Sequence, residues 1–208
     1  MTTAAIIIPC PDVDVGAQTA RIAQEMAGID CAAIVVSDYM LRGDSHPGCA
    51  AVAAARDLEV DYIAQLNDDL RPTQQGWLVR MIEALEERPE YGIAGPSGHC
   101  RTMPQGKGKA GMSPGIEVVR ALAFFCAVVK RQVIEQHGWF DKAFHFWGND
   151  SDLVRRAQAG GWKCIWVRDV FFEHELMGVT KRHPELTGLY EQWRGPDKAL
   201  FKKRWPNG

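Results

Sequence analysis

The feature that most constrains this chain is an alternation. Four short apolar runs, "AAIII" (4–8), "AAIVV" (32–36), "YIAQL" (62–66) and "YGIA" (91–94), are separated by stretches with helical spacing. Brief runs rich in β-branched residues, stopped by Pro, Asn or Gly, suit buried strands. Between them, residues 16–26 place Ala20, Ile22, Ala23 and Met26 on one side, and residues 48–58 are Ala-rich. Thr73 is expected to cap a helix running to about residue 87, with Trp77, Leu78, Met81, Ile82 and Leu85 inward. Strand and helix in alternation predict an α/β domain, a mostly parallel sheet flanked by helices. Ligands of such sheets bind beyond the C-terminal strand ends. Pro9-Cys10, Ser37-Asp38 and Asn67-Asp68-Asp69 stand at those ends.

The second half has another character. Residues 95–115 hold six glycines and three prolines without any period, the pattern of a mobile loop or lid. Residues 118–129 are strand-like, a helical stretch runs to about residue 137, and "KCIWV" and "FFEHE" are two strands around a turn at Arg168-Asp169. From residue 186 the tail is amphipathic and basic towards its end. A length of 208 residues supports one domain, here 1–185, with a first half (1–95), a second half (96–185) and the tail (186–208). The net charge of −2 gives no overall attraction to nucleic acid or lipid. The six cysteines form no C-x-x-C pair, and no run is long enough to span a bilayer. Together with the absence of a signal-peptide pattern, these predict a cytoplasmic protein.

Three polar clusters carry the chemistry. Asn67-Asp68-Asp69 is either an Asx turn or an oxygen-ligand site for Mg²⁺ or Mn²⁺ beside a phosphate. Asn149-Asp150-Ser151-Asp152 opens a helix and so is either an N-cap or, with the aromatic run "WFDKAFHFW" upstream, the wall of a polar pocket. His174 ends a strand; a lone histidine is commonly structural, but imidazole beside a carboxylate also suits Mn²⁺.

These segments together resemble the family-2 glycosyltransferases of the GT-A fold. "AIIIPCPD" resembles their first strand, and "LNDDLRPTQQGW" the D-x-D region in an Asn-Asn-Asp form. "HGWFDKAFHFWGNDSDLVRRAQAGGWKCIWV" is similar to their G-x-F-D…E-D-x-D-L block, and "FFEHE" to the histidine-bearing strand that follows. The resemblance implies a metal-dependent, inverting, hexosyl-type transferase taking a UDP-, GDP- or dTDP-sugar, with Mn²⁺ or Mg²⁺ as cofactor. It implies that Pro9, Cys10, Asp38, Asn67 and Asp68 bind the nucleotide sugar. Asp69 and His174 would hold the metal, and Asp150 would be the catalytic base. Trp147, Asn149 and Asp152 would form the acceptor pocket. Asn67 and Asn149 stand where the family usually has acids, and the acceptor, whether glycan, small molecule or hydroxylated DNA base, stays open. The alternatives are a sugar-nucleotide nucleotidyltransferase and a degenerate binding module. The first is disfavoured because "PCPDVDVG" lacks a basic residue after the first strand.

Overall fold

The computed structural model describes residues 2–37, 45–98, 100, 103–174 and 181–206. In chain order the elements are β1 (Ala4–Cys10), α1 (Val13–Glu25), β2 (Ala32–Ser37), α2 (Ser45–Asp57), β3 (Tyr62–Leu66), β4 (Leu70–Pro72) and α3 (Trp77–Glu86). There follow β5 (Tyr91–Gly98), β6 (Ile116–Val119), β7 (Cys126–Lys130), α4 (Arg131–His137), α5 (Asn149–Ala159), β8 (Lys163–His174) and α6 (Glu185–Arg204).

Residue parity along β1 builds the layers. Ala4, Ile6 and Ile8 pack into one core with Ala20 and Ala23 of α1 and Trp77, Leu78 and Met81 of α3. Ala5 and Ile7 face the other way, into a core with Val52 of α2, Val133 of α4 and Leu153 of α5. A strand buried on both faces must be apolar at every position, which is why these runs do not alternate. The sheet order is β2-β1-β3-β7-β5-β8-β4, with β6 also pairing β8. From the pairings, β1, β2, β3, β5 and β8 run one way and β4, β6 and β7 the other. Because β7 lies between β3 and β5, both halves of the chain share one sheet.

Several local expectations change. α1 starts at Val13, because Asp12 caps it by accepting from the Asp14 and Val15 amides at 3.0 and 3.3 Å. Thr73 caps nothing: its hydroxyl donates to the Phe171 carbonyl, and Gly76, at φ 74°, precedes α3. Residues 95–98 belong to β5 rather than to a loop. Within the expected lid, the Gln105 side chain is fully buried and clamps Ala123, accepting from its amide at 2.7 Å and donating to its carbonyl at 3.1 Å. The run 118–129 divides into β6 and β7, which go to different parts of the sheet.

"KCIWV" and "FFEH" form one strand with a bulge. Pro96 pairs Val167 and Ser97 pairs Phe171, leaving Arg168, Asp169 and Val170 out of the ladder. Asp169 fixes this bulge by accepting from Arg80 at 2.7 and 3.2 Å and from the Gly115 amide at 3.1 Å. Bulges re-aim the strand that follows them, here towards His174. β4 was hidden in the sequence because it has only three residues and one is Pro72.

Candidate active site

The polar turn after β3 has to leave a fully buried strand. β4 answers this by pairing Leu70 with His174, which sets Asp69 beside the histidine. Asp69 Oδ1 and His174 Nε2 lie 3.2 Å apart, both side chains largely buried. Neither is satisfied: among the described residues, Asp69 Oδ1 and His174 Nδ1 are buried atoms without a hydrogen-bond partner. The histidine ring stacks on Phe125, centroids 5.4 Å apart. Gly98 makes room for that ring, since a Cβ there would come within 2.8 Å of Phe125.

Asp68 has a different setting. Its carbonyl accepts from the Thr19 hydroxyl at 2.6 Å, and its carboxylate pairs with Arg182 at 2.9 Å. Burial pushes the Asp68 carboxyl up to about 6; Arg182 pulls the other way and the Asp69 charge adds to the rise. Cys10 sits near this carboxylate at the end of β1. Burial first, then Asp68 and Asp12, push its thiol up to about 12, which removes it as a nucleophile. Pro9 is buried beside it. The Asn67 amide donates to the Phe125 carbonyl at 2.8 Å. Asp38 lies outside the described residues.

The second cluster opens α5. Gly148, at φ 83°, takes the position before the helix, so neither Asn149 nor Asp150 is the N-cap residue. Each instead accepts from the next amide: Asp150 N donates to Asn149 Oδ1 at 2.8 Å and Ser151 N to Asp150 Oδ1 at 2.6 Å. The other Asp150 oxygen accepts a long 3.4 Å bond from the Phe124 amide. Burial pushes the Asp150 carboxyl above the ordinary aspartate range, against the pull of the Ser151 and Phe124 amides. Phe124 and Phe125 thus link the two clusters, one through its amide to Asp150 and the other through its ring to His174. Sequence reasoning missed them inside a run taken for one strand. It also missed Arg182, which no local pattern distinguishes.

The residues expected to form an acceptor pocket also carry structural bonds. Asp152 is fully buried and accepts from Arg156 at 2.8 Å, Arg204 at 2.9 Å and the Trp205 indole at 3.0 Å. It ties α5 to α6 and presents no oxygen to a ligand. Asn149 is buried and donates to the Ser45 hydroxyl at 3.2 Å, joining α5 to the start of α2. The Trp147 indole donates to the Tyr190 carbonyl at 3.2 Å, and Arg194 lies 4.7 Å over its ring. α6 itself is anchored by Asp197, 1% exposed, which accepts from the amides of His145, Phe146 and Trp147 at 3.1, 2.9 and 2.8 Å.

Among the described residues, no group of three or more His, Cys, Asp or Glu side chains could hold a metal ion. Asp69 and His174 nevertheless fit a divalent cation, with a hard oxygen and an imidazole nitrogen both short of partners. Mg²⁺-type sites commonly take one or two protein ligands and complete the shell with substrate phosphate and water.

No protein-family model matches the sequence, and no curated protein does. Solved structures do match in fold. GalNAc-T7, solved with UDP, GalNAc and Mn²⁺, is 10% identical with a TM-score of 0.61, over 84% of this chain and 44% of that one. The mannosyltransferase PcManGT from Pyrobaculum calidifontis, solved with GDP-Man and Mn²⁺, is 15% identical with a TM-score of 0.57, over 82% and 56%. A197 from STIV is 13% identical with a TM-score of 0.56, over 83% and 85%. The chain thus spans about half the length of the two named transferases and has a GT-A fold. Among the described residues, no helix is long and apolar enough to cross a membrane.

Proposed function

We propose that this protein is a metal-dependent glycosyltransferase that moves a sugar from a nucleoside-diphosphate sugar to an acceptor hydroxyl with inversion. The observation that carries this reading is the buried pair Asp69–His174 at the end of the sheet, short of hydrogen-bond partners among the described residues and linked through Phe125 and Phe124 to the carboxylate of Asp150. The fold is one in which other proteins have been solved with UDP or GDP-Man and Mn²⁺.

Asp69 and His174 would hold Mn²⁺ or Mg²⁺, which neutralises charge developing on the diphosphate leaving group. Asp68, held by Arg182, would contact the ribose or sugar, with Pro9, Cys10 and Asn67 also on the nucleotide-sugar side. Asp38 is assigned to the base of the nucleotide on the family resemblance alone. The acceptor oxygen attacks the anomeric carbon as the bond to the diphosphate oxygen breaks, and Asp150 takes the hydroxyl proton. Burial raises its affinity for that proton above that of an ordinary aspartate. One displacement without a covalent sugar–enzyme intermediate inverts the anomeric centre.

A panel of UDP-, GDP- and dTDP-sugars, incubated with and without Mn²⁺, tests the reading. Release of nucleoside diphosphate from at least one donor, only with metal, is the expected outcome. No release from any donor, with or without added acceptors, would overturn it.

A further inference from the structure

Asp150 stands at one end of a seam whose other end is a charged cleft. α5 lies along the segment from Val119 to Phe124, and two sets of bonds mark the ends. Phe124 donates to Asp150 at one end; at the other, Gln158 donates to the carbonyls of Val119 and Arg120 at 3.4 and 3.3 Å. Eight residues of helix separate Asp150 from Gln158, about 12 Å. Beyond Gln158 the surface opens into a cleft of about 580 Å³. Of its eight lining residues, three are cations, Arg120, Arg155 and Lys163, and none is acidic.

The charge there is largely uncommitted. Arg120 is exposed, and Lys163 meets Glu90 at 3.2 Å in an accessible pair of small energetic weight. Arg155 lies 5.3 Å over the Phe201 ring of α6. A chain of net charge −2 has therefore gathered cations around one cleft, at the far end of the helix that its candidate base opens. Trp162 also lines the cleft, partly exposed, with its indole N–H fixed on Gln136 at 2.8 Å. A ring among cations in a cleft with no acidic lining residue is the combination that binds single-stranded nucleic acid, stacking a base and holding phosphates.

We propose that this cleft is an acceptor subsite for single-stranded nucleic acid, holding the strand by its phosphates while a hydroxyl is presented to Asp150. The proposal rests on the glycosyltransferase reading for the meaning of Asp150. The test is binding of a labelled single-stranded DNA oligonucleotide to the full chain across a salt series. Three phosphate contacts predict a log–log salt slope of about 2. Arg120→Gln with Lys163→Gln should lower the slope to about 0.7 and weaken binding at least tenfold at low salt, with melting temperature unchanged. Arg155 is retained in that variant because it packs on α6. Trp162→Leu should weaken the oligonucleotide but not inorganic polyphosphate.

Equal affinity and slope for the double variant and the wild type would overturn the subsite. So would polyphosphate binding as tightly as the oligonucleotide, which would leave a general anion site. A wild-type chain that releases nucleoside diphosphate from a donor but binds no oligonucleotide overturns the subsite alone. A chain that does neither loses the transferase reading as well.

Discussion

Asp150 and Asp152 stand two residues apart on the same helix, yet they meet opposite surroundings. Asp152 is fully buried and receives two guanidinium groups and an indole. Asp150 meets only uncharged donors, the Ser151 and Phe124 amides at 2.6 and 3.4 Å and the Ser151 side chain. The contrast between Asp197 and Asp69 repeats this: Asp197 collects three backbone amides, while Asp69 Oδ1 is buried without a hydrogen bond. A carboxylate whose lone pairs are all taken holds structure together. One left short of partners costs stability and is open to a metal, a proton or a substrate.

The largest effect should come from the metal. Turnover should vanish in EDTA and return with Mn²⁺ or Mg²⁺. Asp69→Ala should lose activity and keep its melting temperature, because this acid contributes little to the fold. Full turnover in EDTA would place Asp69 with the structural acids and break the comparison. Asp197→Ala should do the reverse. Stranding three buried amides costs about 2–3 kcal/mol, so the melting temperature should fall by about 4–12 °C, read by calorimetry. An unchanged melting temperature would show that α6 is held by its aromatic contacts instead.

A smaller effect sharpens the account of Asp150. Burial raises its folded pKa above the unfolded value, so the folded state binds the proton more tightly. Two consequences follow. The acid limb of kcat/KM should lie above the ordinary aspartate range, because the base must be ionised. The same shift lowers stability at neutral pH, and that loss is recovered as pH falls through the folded pKa. Asp150→Asn should therefore be at least as stable as wild type at pH 7. A limb at the pKa of an exposed aspartate would contradict the burial argument.

The strands and flanking helices of the first half were legible in the sequence because a strand buried on both faces has no choice but to be apolar. "AAIII" and "YIAQL" say so directly. What was not legible depends on pairing. β4 is visible only through its partner β8, and the bulge at Arg168–Val170 resembles an ordinary turn until Ser97 is seen opposite Phe171. The same limit explains Asp152, Asn149 and Trp147. Their proximity to Asp150 in sequence suggested a shared pocket, but their partners come from α2 and α6, over forty residues away. Arg182, which meets Asp68 across 114 positions, is of the same kind.

The contrast within α5 admits one direct measurement: kcat and melting temperature for Asp150→Asn and Asp152→Asn, side by side, with donor and metal saturating. Asn preserves the shape of both side chains and removes only the charge. General-base assistance is worth about 10² to 10⁴ in rate, so Asp150→Asn should lose at least a hundredfold in kcat with its melting temperature intact. Asp152→Asn leaves Arg156 and Arg204 without their buried counter-charge, a loss of about 2–3 kcal/mol. It should melt about 4–12 °C lower and, below that transition, turn over far faster than Asp150→Asn. The opposite pattern, with Asp150→Asn active and Asp152→Asn stable but inactive, would contradict the assignment of the base.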